Sequence, residues 1–218
     1  MKKITTLALI LFAAITTHAQ LANTKWKATL KIDEDVPAIF DFGKDTLKLT
    51  RFASNIPIEN MAYSLADSTI TLTKTEGQSD CDNDVVGKYK FLIRGDVLSF
   101  KLLSDACDDR SSVLNNISLA KFAYPAEVKV DEAILKQYPG VYAMDDQHKI
   151  TISVENGRVM ADSKTNLAAK TALYALSETR FSFHIGEITM EFEKAPDGTV
   201  SKFIVHENGK DYDWIREK

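Results

Sequence analysis

Cysteine is almost missing from this sequence. Cys81 and Cys107 are the only two in 218 residues. No C-x-x-C pair is present, which excludes a thioredoxin-type redox motif. No histidine lies near either cysteine in the sequence, which leaves a zinc site two ligands short. A basic excess is missing too. Lys+Arg number 27 against 31 Asp+Glu, for a formal net charge of −4, so the overall balance gives no electrostatic footprint for nucleic acid or anionic lipid. Beyond the N-terminus no segment stays apolar for the roughly 20 residues that a membrane-spanning helix needs.

Catalytic signatures are lacking as well. No G-x-S-x-G, H-E-x-x-H or phosphate-binding glycine loop occurs. Ser118-Leu119-Ala120-Lys121 fits S-x-x-K by letter, but it reads as a strand, where residues three apart point to opposite faces, and neither K-T-G nor Y-x-N accompanies it. His148, His184 and His206 stand far apart. His184 alternates against Phe181, Phe183 and Ile185, so its expected place is the solvent face. Asp211, Asp213 and Glu217, near Trp214, are expected to be solvated. The expectation is therefore no catalytic residue, no metal and no cofactor.

What is present begins with an address. Lys2 and Lys3 precede an apolar run from Ile4 to Ile15, and Thr17 and Ala19 then stand at the −3 and −1 positions of a small-residue cleavage site. This is the layout of a secretory signal peptide, residues 1–19, cut after Ala19. No cysteine follows the run, so a lipid anchor is not expected. Removing 19 residues and their two lysines leaves 199 residues with a formal charge of −6. The expected location is periplasmic or extracellular. In such an oxidising compartment two cysteines pair. A Cys81–Cys107 bridge would close a loop across 26 positions, which the chain-entropy relation values at about 3.5 kcal/mol. It would also draw together Asp80, Asp82, Asp84, Asp105, Asp108 and Asp109. Clustered carboxylates suit calcium, but an EF-hand loop starting at Asp80 has Val85 in place of its glycine and Phe91 in place of its last glutamate. Solvated loop acids are the simpler reading.

Residues 24–33 alternate cleanly, with Trp26, Ala28, Leu30 and Ile32 on one face and Lys25, Lys27, Thr29 and Lys31 on the other. That pattern marks a half-buried strand. Short strands are expected again at 37–42, 46–52, 60–65, 69–74 and 88–93. Gly95-Asp96 turns the last of these into V-L-S-F-K-L-L, a helical turn follows Arg110, and 117–122 closes the set. Eight short antiparallel strands suggest a barrel closed on itself. Its interior would take Trp26, Leu30, Tyr63, Tyr89, Phe91, Phe100 and Leu102, either as the lining of a site for one small apolar or amphipathic ligand or as a packed filling.

Cys81, Gly87, Tyr89, Gly95, Asp96, Asp105, Cys107 and Arg110, set behind a first-strand tryptophan, carry a resemblance. Residues 21–123 are similar to the bacterial lipocalin-like domains of the calycin group. Those domains often have a fuller G-x-W near the start, where this chain has Asn23-Thr24-Lys25-Trp26. The resemblance implies a structural role for Arg110, packed across Trp26 as a cation–π contact; a partnership with the neighbouring aspartates is the other structural reading.

Residues 124–130 contain Pro125 and lack strong periodicity, which suggests a linker. Asp131 is placed to cap a short helix over 131–138, stopped by Pro139-Gly140. Alternation then resumes in K-I-T-I-S-V-E, R-F-S-F-H-I, E-I-T-M-E-F-E and T-V-S-K-F-I-V-H-E, with Asn156-Gly157 and Asn208-Gly209 as hairpin turns. Tyr138, Gly140, Tyr142, Arg180, Phe181, Phe192, Asp197, Gly198, His206, Gly209 and Arg216 mark a second resemblance. Residues 129–217 look like the small C-terminal β domain appended to exported serine hydrolases of the β-lactamase and penicillin-binding-protein type. That resemblance implies a compact barrel-like unit and no chemistry of its own.

The sequence thus predicts an all-β chain of two antiparallel β domains. A signal peptide (1–19) precedes an eight-stranded lipocalin-like barrel (20–123), a linker (124–130) and a smaller barrel-like domain (131–218). The expected function is non-catalytic binding of a small apolar or amphipathic molecule in the first barrel. The alternative is an accessory or interaction module for a secreted hydrolase or cell-envelope complex, with no ligand cavity.

Overall fold

The computed structural model describes residues 21–163 and 170–217; the expected signal peptide and its expected cleavage after Ala19 lie outside them. The chain divides into two compact units, one reaching Leu49 and resuming over Pro57–Phe122, the other made of Thr50–Ile56 and Ala123–Lys218.

The first unit is all antiparallel. Its strands are β1 (Thr24–Lys31), β2 (Asp35–Phe42), β3 (Thr46–Arg51), β4 (Pro57–Ala66), β5 (Thr69–Gly77), β6 (Val86–Arg94), β7 (Val97–Ser104) and β8 (Ser118–Phe122). Each pairs with the next, and β8 returns to β1 with Lys27 opposite Ala120, closing the barrel. Alternation decides the faces. In β6 the buried positions are Gly87, Tyr89 and Phe91, while Lys88, Lys90 and Leu92 between them are exposed. Ile32 departs from the expected pattern: β1 ends at Lys31 and Ile32 stands exposed in the turn. The helical turn starts earlier than Arg110. Helix α1 (Asp108–Leu114) buries Arg110 and Leu114, four residues apart on one face.

The second unit opens with α2 (Glu132–Leu135), where Asp131 Oδ1 accepts from the Ala133 N–H at 2.7 Å. That bond satisfies one of the helix's unpaired amides. Nine strands follow: β9 (Gly140–Ala143), β10 (Lys149–Glu155), β11 (Arg158–Asp162), β12 (Thr171–Ala172), β13 (Tyr174–Ala175), β14 (Arg180–Ser182), β15 (Thr189–Lys194), β16 (Val200–Glu207) and β17 (Lys210–Arg216). They form one sheet in the order β12-β11-β10-β9-β17-β16-β15-β14-β13. Its first and last strands are separated in the chain only by Leu173, so the sheet curls until it is nearly closed. Asn156-Gly157 and Asn208-Gly209 both have positive φ throughout, as two-residue turns between twisted strands require. Rings fill the interior: Tyr138 stacks on Phe192 at 4.0 Å, and Phe203 stacks on Trp214 at 5.7 Å. The Tyr138 hydroxyl is pushed up to about 12, by burial first and then by the nearby Glu178 charge.

Candidate functional site

The barrel interior is the site that the sequence nominates. Trp26, Leu30, Tyr63, Tyr89, Phe91 and Phe100 all lie in one continuous core, none more than 7% exposed, and Leu102 packs partly buried against it. Val36, Phe40, Phe42, Leu47, Met61 and Leu72 share the same space. Phe42 meets Tyr63 edge-on at 5.4 Å, and Tyr89 lies 6.3 Å from Phe100. The polar tips of these rings are occupied locally. Trp26 Nε1 donates to Thr24 Oγ1 at 2.8 Å, and the Tyr63 hydroxyl donates to the Gly43 carbonyl at 2.8 Å.

A buried charged cluster adjoins this core. Arg110 Nε donates to Asp105 Oδ2 at 2.7 Å and Arg110 Nη2 to Asp105 Oδ1 at 2.9 Å, a two-pronged pair whose side chains are 3% and 0% exposed. Arg110 Nη2 also donates to the Val85 carbonyl at 3.0 Å. The Tyr89 hydroxyl donates to Asp105 Oδ2 at 2.5 Å, and the Cys107 N–H to Oδ1 at 3.0 Å. Burial alone would raise the Asp105 carboxyl, but the bonds from Arg110, Tyr89 and Cys107 outweigh it and hold the group below the usual carboxylate range. Burial raises the Tyr89 phenol, and the Asp105 carboxylate adds to the shift. The cluster ties β6 to the start of α1. The arginine is spent on an aspartate in the way that one of the two structural readings expects. Asp105 is its centre. Reading it as a centre requires knowing that Tyr89, sixteen residues earlier, projects to the same point.

Cys81 and Cys107 are bonded, with Cα atoms 5.4 Å apart. The surrounding acids are dispersed among separate tasks: Asp105 holds Arg110, and Asp109 Oδ2 accepts from the Asp80 N–H at 3.1 Å.

In the second unit the histidines do not converge. His148 Nδ1 lies 2.8 Å from Asp145, and His206 Nδ1 lies 2.7 Å from Asp211. Asp213 pairs with Lys202 at 3.0 Å and Glu217 with Lys149 at 2.6 Å, so these acids are surface ion-pair partners. His184 overturns the expectation of a solvent-facing strand residue. β14 stops at Ser182, His184 takes φ 51°, and its ring is stacked between Tyr174 at 3.6 Å and Tyr124 at 4.1 Å. The Arg158 guanidinium lies 4.6 Å from the Tyr174 ring centre. Ser118 and Lys121 of the S-x-x-K match fall on opposite faces of β8: Ser118 pairs with outward Ser99, whereas Lys121 stands across from inward Trp26.

A cleft of about 870 Å³ lies where residues 127–132 pass the β10–β11 turn. Leu135, Val159, Leu173, Ala175 and Phe181 give it apolar lining, and Glu127, Lys129, Asp131 and Glu132 contribute charges of both signs. Arg158 Nη2 donates to Glu127 Oε2 across it at 3.1 Å. Such a mixture can hold an amphipathic segment but arranges no nucleophile beside a base.

No family model matches the chain. Over 97 residues, 43% of its length, it is 31% identical to Penicillin-binding protein 4* of Bacillus subtilis (strain 168). The chain spans 21% of that relative, so the similarity reaches a segment of a penicillin-binding protein and not the whole of it.

Proposed function

We propose that this protein is an exported, non-catalytic recognition module, an accessory to a secreted hydrolase or a cell-envelope complex, that works through its outer surfaces. The observation that carries this reading is the first barrel's interior. A cavity large enough for a ligand leaves the side chains around it in contact with water. Here Trp26, Leu30, Tyr89, Phe91 and Phe100 are each no more than 4% exposed. Side chains alone can fill an eight-stranded barrel. The finer identifications belong to the same proposal: residues 21–123 as a lipocalin-like barrel of the calycin group, and residues 129–217 as the β domain appended to exported serine hydrolases. The partial similarity to a penicillin-binding protein is in keeping with a link to exported hydrolases, and the disulfide fits an oxidising compartment.

Native mass spectrometry of the protein purified from its own host tests the reading. The expected spectrum is that of the bare chain. A stoichiometric apolar molecule, released on unfolding, would instead establish a carrier with its ligand in the barrel.

A further inference from the structure

The outer faces of β6 to β8 form a wall without a single acid. Its outward positions are Val86, Lys88, Lys90, Leu92 and Arg94 on β6, Val97, Ser99, Lys101 and Leu103 on β7, and Ser118 and Ala120 on β8. The wall thus carries four cations on a chain whose net charge is −4. None of the four has an ion-pair partner among the described residues, although lysines elsewhere on the surface commonly do, as in Lys31–Asp35, Lys149–Glu217 and Lys202–Asp213. Lys90 and Lys101 stand directly opposite each other on paired strands, an arrangement of like charges that destabilises a sheet. The barrel is closed, so these lysines guard no free edge there. Between the cations sit Val86, Leu92, Val97 and Leu103, each 45–56% exposed. A depression of about 420 Å³ is lined by Lys90, Phe91, Leu92, Ser99, Phe100 and Lys101, with Ser68 and Asn116.

We infer that this wall docks on an anionic phospholipid bilayer, with Lys88, Lys90, Arg94 and Lys101 facing the phosphates and Leu92, Val97 and Leu103 entering the interface. Charge selects the class of partner. Four exposed cations with no ion-pair partner on the protein favour a surface that supplies negative charge. The interleaved apolar side chains select the bilayer over a soluble polyanion, because a polyanion would leave them in water whereas a lipid interface takes them out of it. The depression between the two facing lysines is of a size for one headgroup. This inference stands whether or not the barrel interior holds a ligand, since the four cations and three apolar side chains that carry it lie on the outer face.

Co-sedimentation of the two-unit protein, from residue 20 on, with vesicles provides the test. Vesicles of phosphatidylcholine alone are compared with vesicles carrying about 30% phosphatidylglycerol, at low and high salt. Binding is expected only to the anionic vesicles, and it should weaken as salt rises. The double variant Lys90→Glu, Lys101→Glu should lose at least about tenfold in binding. It keeps a like-charge pair, so its melting point should match that of the parent. The double variant Leu92→Ser, Leu103→Ser should lose several-fold while keeping every charge. Lys194→Glu with Lys210→Glu makes the same change in net charge within the second unit and should bind as the parent does. Absence of binding to anionic vesicles overturns the inference. So does an equal loss in the Lys194, Lys210 control, which would mean net charge alone. Competition by a soluble polyanion together with indifference to the Leu92, Leu103 change would assign the wall to a polyanion and sink the bilayer.

Discussion

Gly87 has no room for a side chain. A Cβ there would stand 2.3 Å from Asp105 Oδ2 and 3.0 Å from Arg110 Nε. Gly87→Ala must therefore push the carboxylate off the guanidinium, and a loss of about 1–3 kcal/mol is expected in urea unfolding. Arg110→Met, which leaves the Asp105 charge buried without its partner, should cost more, about 3–5 kcal/mol. The same pair sets an acid limit. The Asp105 carboxyl is held below its ordinary value in the folded chain and returns to roughly 3.9 on unfolding. Its stabilising contribution is thus present above about pH 4 and is lost as pH falls through the folded value. Thermal melts at neutral pH and near pH 3 should show a smaller acid loss in Asp105→Asn than in the parent. An equal loss would place the acid sensitivity in other carboxylates.

Elements differ in how plainly the sequence announces them. β1 to β8 run for five to ten residues, long enough for a period of two to show in most of them, and all eight are legible. So are the turns at Asn156-Gly157 and Asn208-Gly209, where positive φ limits the choice of residue. Gly157→Ala, at φ 74°, should therefore lower stability by about 1–2 kcal/mol, while Gly157→Asn should lose less. β12 and β13 are two residues each, too short for any period. β9 follows Pro139 directly, and its place between β10 and β17 is decided by pairing across the chain, not by local pattern. The R-F-S-F-H-I stretch continues its alternation beyond Ser182, but β14 ends there, and the His184 ring stacks between Tyr124 and Tyr174, residues distant in the chain. The candidate site was legible as a set of inward residues. Its filling was not, because sequence gives side chains and faces but not the volume between them. Within the first unit the disulfide fixes the start of α1 beside Cys81. Reduction should lower the melting temperature of the first unit by more than that of the second, which holds neither cysteine; differential scanning calorimetry with and without reductant reads the difference.

The whole molecule shows how little a net charge says about a surface. A chain of charge −4 still presents a wall with four cations and no acid, because strands separated in sequence bring lysines together. The described hydrophobic cores are also separate: one runs from Leu21 to Leu119 and the other from Leu135 to Trp214. Residues 124–218 hold all of the second core, though not Thr50–Ile56 of that unit, and expressed alone are expected to give a cooperative melt, since units of about 100 residues commonly fold by themselves. A fragment that stays unfolded until residues 20–123 are supplied would show that the second core is not sufficient. The two sheets also differ in their ends. The first barrel has none: each strand is laced to a neighbour on both sides, so no strand can fray by itself. The second sheet ends in β12 and β13, two residues each. Immersed in heavy water, the protein should therefore keep two clocks. Deuterium should enter the second unit from β12 and β13 inward within the native state, while the central strands of the barrel wait for the unit to open as a whole.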